Sequence, residues 1–164
     1  MSLTKKRSRI TLLSTLIAAG ILVWSPQAGA QSSEVHFFNQ NGGPRDGVHC
    51  TPPFTKCNER VGILRAGVRR SVNCKKSDAC KNDEARSAML IGPIRAGWTM
   101  IVYDNPDGNK KDDWAEINVI RDMTAGDRVT IGTFERSYVE HFVRVTYHRK
   151  NGLDGKVSSI EVRP

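Results

Sequence analysis

Residues 99–119 read TMIVYDNPDGNKKDDWAEINV, with a short apolar run on either side of a polar cluster. The second run alternates apolar and polar residues, which is typical of a half-buried β-strand, and the Asp, Asn, Pro and Gly between the runs are typical of a turn. No window of a dozen residues shows an apolar stripe of helical period. The pattern predicts an all-β, antiparallel β-sandwich. Further strands are predicted at 129–131, 143–147 and 158–162, and weaker ones at 61–64, 68–72 and 88–91.

Residues 77–89 carry a competing signal. This segment, SDACKNDEARSAM, is rich in helix formers and begins with Ser77, a residue type that caps helix N-termini. Local propensity alone therefore supports a short helix here about as well as a turn followed by a strand.

Residues 1–30 have the organisation of a secretory signal peptide. Four basic residues precede an apolar run over 10–24, and Ala28-Gly29-Ala30 supplies the small residues of a cleavage site. The fifteen-residue run is shorter than the roughly 20 residues of a spanning helix, so a stable membrane anchor is not expected. We therefore expect an exported chain, periplasmic or secreted, with a single domain over 31–164.

The composition excludes several classes of protein. With 38% hydrophobic and 26% charged residues, the chain is neither collagen-like nor a long coiled coil. Without the four basic residues of the signal, 21 Lys and Arg remain against 17 Asp and Glu. These charges are scattered, whereas nucleic-acid binding usually needs a concentrated basic face, so no nucleic-acid partner is expected.

All four cysteines lie in the exported part, at Cys50, Cys57, Cys74 and Cys80. An even number in an oxidising compartment predicts two disulfides, for which three pairings are open. The spacings do not match paired zinc ligands. The region 50–80 is therefore expected to be loop-rich and disulfide-stapled.

The chain also contains an internal repeat. Residues 35–43 (VHFFNQNGG) align with 100–108 (MIVYDNPDG), each an apolar run that ends in an aromatic residue with a glycine five residues later. Downstream, 82–87 (NDEARS) aligns with 154–159 (DGKVSS), and an apolar stretch follows each segment. This arrangement resembles the βγ-crystallin superfamily. The resemblance implies two Greek-key units, at about 31–91 with a cysteine-bearing insertion and about 92–164, and it makes 82–91 a turn and strand.

The resemblance also implies calcium sites between the two units. Carried over to this sequence, it places one ion on Asp83, the Glu84 carbonyl and Ser158, whose oxygens suit calcium. A second, mirror site would have the roles of the two aligned segments exchanged. It lacks a carboxylate, because Gly155 stands at the position of Asp83, and it carries Arg86 where the first site has the hydroxyl of Ser158. We therefore expect at most one calcium ion, weakly held, and no other cofactor.

Other candidate chemistry is weaker. The acidic stretch 104–113 lacks the first oxygen ligand of an EF-hand loop and is predicted to be a solvated turn. Hydrolase, metalloprotease and thiol-redox motifs are missing, so we predict that the protein is not an enzyme. Trp114, beside acidic residues, and Phe54, between Cys50 and Cys57, are candidate binding aromatics.

These observations predict a non-catalytic binding or structural module, monomeric, whose partner is an unidentified protein or cell-surface ligand. The alternative is a secreted protease inhibitor or small toxin-like effector that acts through a loop made rigid by disulfides, because rigidity reduces the entropy lost on binding.

Overall fold

A computed structural model describes residues 32–42 and 59–164, and this part of the chain contains ten β-strands and no helix. Ser77–Met89 is therefore not helical: turns occupy its first part and a strand begins at Ser87. The strands are β1 (Glu34–Phe38), β2 (Arg60–Arg65), β3 (Arg70–Asn73), β4 (Ser87–Ile91), β5 (Thr99–Tyr103), β6 (Trp114–Val119), β7 (Arg128–Ile131), β8 (Tyr138–Val139), β9 (Val143–His148) and β10 (Ser159–Arg163).

The strands form two antiparallel sheets. The first has the order β2-β1-β4-β7, and the second has the order β3-β10-β5-β6-β9-β8. Each half of the chain gives one strand to the other half's sheet, because β3 pairs with β10 and β7 pairs with β4. This exchange interlocks the two halves, so that neither sheet is complete without strands from both.

The core lies between the sheets and follows the two-residue period of the strands. In β6, Ala115, Ile117 and Val119 are buried while the residues between them are partly exposed. Trp98 is also buried, and its indole N–H donates to the carbonyl of Ala66 at 2.7 Å. The largest fully buried side chains are those of Phe37, Phe134, Leu64, Leu90, Met100, Ile101, Ile117, Ile131, Leu153 and Ile160.

One disulfide, Cys74–Cys80, lies within the described ranges. Cys74 follows β3 of the second sheet, and Cys80 forms a bridge with Gly62 in β2 of the first sheet. The disulfide therefore joins the two sheets along one side of the molecule. Cys50 and Cys57 lie outside the described residues, as does Phe54, so the remaining pairing and the rigid-loop prediction stay predictions.

The predicted strands are confirmed, with β5 at the bounds that the sequence indicated. The short strand β8, which extends the second sheet beyond β9, was not predicted, because two residues are too few to show a period. The signal peptide over 1–30 also lies outside the described ranges. Within those ranges, no helix has the length and apolarity needed to cross a membrane.

Candidate functional site

The structure brings Asp83 and Ser158 together, although 75 residues separate them in the chain. The Ser158 hydroxyl donates a hydrogen bond to Oδ1 of Asp83 at 2.7 Å, and the Asp83 N–H donates to the carbonyl of Val157 at 3.1 Å. Asp83 has a φ of 58°, a left-handed conformation that Asp tolerates better than most residues. This turn therefore aims the carboxylate at the other half of the molecule.

The turn before β4 and the turn before β10 make the same contacts with their own halves. In each turn, one backbone N–H donates to the carbonyl of the aromatic residue that ends β1 or β5. The next residue in the turn is a serine, and its hydroxyl donates to the carbonyl of the residue two positions after that aromatic. The bonds are Arg86 N–H to Phe38 O (2.8 Å), Ser158 N–H to Tyr103 O (2.8 Å), Ser87 Oγ to Gln40 O (2.5 Å) and Ser159 Oγ to Asn105 O (2.7 Å).

Arg86 occupies the position equivalent to Ser158 in the other turn. Its Nη1 donates to the carbonyls of Asn39 at 2.8 Å and Glu84 at 3.3 Å, and its Nε forms an ion pair with Asp154 at 2.8 Å. A Cβ at Gly155 would lie 2.8 Å from the guanidinium carbon, so a side chain at residue 155 would force the end of the Arg86 side chain to shift. A guanidinium thus fills the mirror position.

The surroundings of the Asp83–Ser158 pair are rich in negative charge. Burial raises the pKa of Asp104, and the carboxylates of Asp112, Asp113 and Asp83 raise it further, whereas Lys156 lowers it. Oδ1 of Asn82, next to Asp83, is buried and accepts no hydrogen bond within the described part of the chain. A bound cation would offset the charge of these carboxylates and could coordinate the unpartnered oxygen of Asn82.

The atoms near this pair that could bind a cation are oxygens, and Oδ2 of Asp83 also accepts a hydrogen bond from Nδ2 of Asn82. The Asp83 carboxylate and the Ser158 hydroxyl are close enough to share an ion, and the Lys156 carbonyl lies 3.3 Å from Oγ of Ser158. These hard oxygens fit calcium better than zinc or copper. The Glu84 carbonyl accepts a hydrogen bond from Arg86 of the mirror position, and its role as a calcium ligand stays a prediction.

Asp104, Asp112 and Asp113 place their carboxylate oxygens within 4.8 Å of one another, but Asp113 has a structural role. It accepts hydrogen bonds from the Tyr147 hydroxyl (3.0 Å) and from the N–H groups of Lys150 (2.7 Å) and Asn151 (2.8 Å). Burial of the carboxylate raises its pKa, but these donors outweigh that effect and bring the pKa to about 2. Asp113 therefore anchors the turn after β9.

Trp114 lies at the start of β6 and is enclosed on both faces of its indole ring. His148 stacks on one face with ring centroids 3.7 Å apart, and Nζ of Lys110 lies 3.8 Å from the ring centroid. At these distances the His148 ring and the Lys110 ammonium group must lie on opposite faces of the indole ring. A ligand that stacks on Trp114 would first have to displace Lys110, and ligand binding by Trp114 stays a prediction.

Comparison of this chain with protein-family models, with characterised proteins and with solved structures found no match. Sequence reasoning identified Asp83 and Ser158 and noted Arg86 and Gly155 as departures from the motif. It missed the Arg86–Asp154 ion pair and the proximity of Asp104. Both are contacts between residues far apart in the chain, and no local sequence pattern indicates them.

Proposed function

We propose that the chain is a non-catalytic, exported module of βγ-crystallin type that binds one calcium ion weakly between its two halves. The exchange of β3 and β7 between the sheets supports two Greek-key units, because each unit completes the sheet of the other. The matching hydrogen bonds of the two turns support the same interpretation, since they follow the internal repeat residue by residue.

The contact between Asp83 and Ser158 carries the calcium proposal. A carboxylate and a hydroxyl from opposite halves would hold the ion, together with main-chain carbonyls that include Glu84. Because the ion would bridge both turns, its binding would resist separation of the two halves. The Arg86 guanidinium takes the mirror position, so the stoichiometry would be one ion per chain.

Export is proposed from the N-terminal segment and is consistent with the Cys74–Cys80 disulfide, since disulfides persist in oxidising compartments. We propose that Cys50 and Cys57 form the second disulfide. A stable, disulfide-bonded sandwich suits a module that keeps its shape outside the cytoplasm.

Thermal unfolding of the oxidised protein over 31–164 tests the proposal, first in millimolar calcium and then in excess chelator. One site held at a hundredfold excess over its dissociation constant adds about 2.7 kcal/mol, which shifts the midpoint by several degrees. Asp83→Ala is expected to abolish the shift. Asp154→Ala makes the same chemical change in the other turn and is expected to keep it. Identical midpoints in calcium and chelator would refute the calcium site and leave the fold intact.

A further inference from the structure

The two lateral sides of the sandwich differ in how their strand edges are covered. On the side of β2, the N–H of Ile63 donates to the Ala79 carbonyl at 3.1 Å, and the Val61 carbonyl accepts from Lys81 at 2.9 Å. The pairing of β1 with β2 leaves these two groups pointing outward. Residues 79–81, at the end of the disulfide loop, therefore cover this edge where Val61 and Ile63 face outward.

The opposite side, formed by β7 and β8, is open. Glu140 and Val143 exchange both backbone hydrogen bonds at the β8–β9 turn, so the alternation of an antiparallel pair makes Tyr138 and Val145 the next bonded pair. The N–H and C=O of Val139 therefore point away from β9. The Val139 side chain is 61% exposed, and β8 is the last strand of its sheet.

An open depression of about 490 Å³ lies beside this edge, lined by the connection from β7 through β8. Tyr138 lines it, and its hydroxyl oxygen is buried; the backbone N–H groups of Gly132 and Thr133 point toward that oxygen, but the hydroxyl donates to no acceptor within the described residues. Burial and the nearby Glu140 carboxylate raise the pKa of Tyr138 to about 12 against the opposing effect of the Gly132 and Thr133 N–H groups, so the hydroxyl keeps its proton. A buried donor without an acceptor is destabilising, and an incoming acceptor would remove that cost.

In the described part of the chain, three arginines outnumber the one carboxylate, Glu140, around this edge, and this excess of positive charge favours an acidic partner. Arg128, Arg136 and Arg144 form no ion pair with any residue in 32–42 or 59–164. Arg136 lines the depression, and Arg144 lies opposite Val139 in the β8–β9 pair. A second copy paired along the same edge would bring these guanidiniums against one another, which disfavours self-association.

We propose that the β8 edge is a docking site for an extended, acidic segment of another protein. The segment pairs with the main chain of Val139 as an added strand, and one of its carboxylates accepts a hydrogen bond from Tyr138 and an ion pair from Arg136. Main-chain pairing supplies affinity and the depression supplies selectivity, as in other cases of strand addition. This site is separate from the proposed calcium site and does not depend on it.

The test uses two fluorescein-labelled ten-residue peptides, one alternating threonine with glutamate and one alternating threonine with lysine. Binding to the oxidised protein is followed by fluorescence anisotropy at low salt in excess chelator, so that a failed calcium site has no influence. The glutamate peptide is expected to bind and the lysine peptide is not. Failure of the glutamate peptide to bind, or equal binding of both, overturns the proposal.

Three variants locate the contact. Val139→Pro removes an N–H that bonds to no residue of β9 and is expected to abolish binding, because proline is tolerated at an outward edge position but cannot donate. Tyr138→Phe and Arg136→Ala are each expected to weaken binding about tenfold, the effect of one charge-assisted hydrogen bond. Tyr147→Phe also removes a phenolic oxygen, but one bonded to Asp113, and is expected to leave peptide binding unchanged.

If Val139→Pro does not fold, Tyr138→Phe and Arg136→Ala still decide the question, and unchanged binding in both overturns the proposal. Sedimentation of the unmodified protein without peptide tests the alternative occupant of this edge, a second copy of the chain. A dimer that is lost in Arg136→Glu would assign the edge to a second copy instead.

Discussion

The turn before β4 and the turn before β10 share a backbone arrangement but differ in how their negative groups are satisfied. Around Arg86, a covalently attached guanidinium contacts Asp154 and the carbonyls of Asn39 and Glu84. Around Ser158, a carboxylate and a hydroxyl face one another, and neighbouring carboxylates raise the pKa of Asp104. The same turn geometry can thus hold its two halves together with an internal cation or leave the oxygens for a diffusible one.

The difference between the two turns depends on two residues, Arg86 and Gly155. The guanidinium of Arg86 occupies the space beside Gly155, and a side chain at residue 155 would displace it from its present position. A carboxylate at 155 with a serine at 86 would restore the arrangement seen around Asp83 and Ser158. The mirror position is therefore coupled across the two halves of the chain, and the coupling can be measured.

The largest expected effect comes from removing the internal cation. Arg86→Ala leaves the Asp154 carboxylate and two carbonyls without their shared donor. We expect a loss of about 2 kcal/mol in the free energy of unfolding, most of it from the carbonyls, because Asp154 is half exposed. Urea unfolding in chelator measures this loss. Arg95→Ala breaks an ion pair of similar length, to Asp122, whose arginine is 90% exposed, and is expected to have a much smaller effect. Equal losses in the two variants would contradict the role given to Arg86.

The next effect concerns the turn that leads into Asp154. Asp113 has a pKa of about 2, below the ordinary value near 4, so its interactions stabilise the folded protein above pH 4. That contribution is lost as the pH falls from about 4 to about 2, because the folded state must then take up a proton that the unfolded state binds more readily. Asp113→Asn is expected to lose about 2 kcal/mol at pH 7.

Unfolding free energies from pH 7 to pH 2 check this prediction. The unmodified protein should lose more stability across that range than Asp113→Asn, because the amide does not titrate. Parallel curves for the two proteins would show that Asp113 contributes nothing through its charge.

The sequence predicted the strands well and the contacts between turns only in part. The period-two runs that became β5, β6 and β9 are local features, so the residues alone indicated them. The helix formers in 77–89 were misleading, because strand pairing of 87–91 with β1 and the Cys74–Cys80 loop outweigh local propensity. The Arg86–Asp154 ion pair joins residues far apart in the chain, and no local pattern specifies such a contact.

A smaller effect is expected at Gly155, where the coupling itself is measured. Gly155→Ala introduces a side chain at a φ of 63° and also a clash with Arg86. The backbone strain costs about 1 kcal/mol in any background, and the clash adds about 1 kcal/mol only where Arg86 is present. A double-mutant cycle with Arg86→Ala should therefore give a coupling of about 1 kcal/mol. Strictly additive losses would show that the two residues do not interact.

The smallest effect is expected at Ser158, in the turn before β10. In chelator, Ser158→Ala removes one neutral donor to Asp83 and should cost about 1 kcal/mol, less than Arg86→Ala because no ionic group loses its counterion. In millimolar calcium the loss should grow, because the hydroxyl is also a proposed ligand of the ion. Urea unfolding of Ser158→Ala and Ser87→Ala under both conditions separates the two roles. Ser87 bonds its own half of the chain through Gln40, so its variant should respond to calcium as the unmodified protein does. A calcium response that both variants retain in full would place the ion elsewhere.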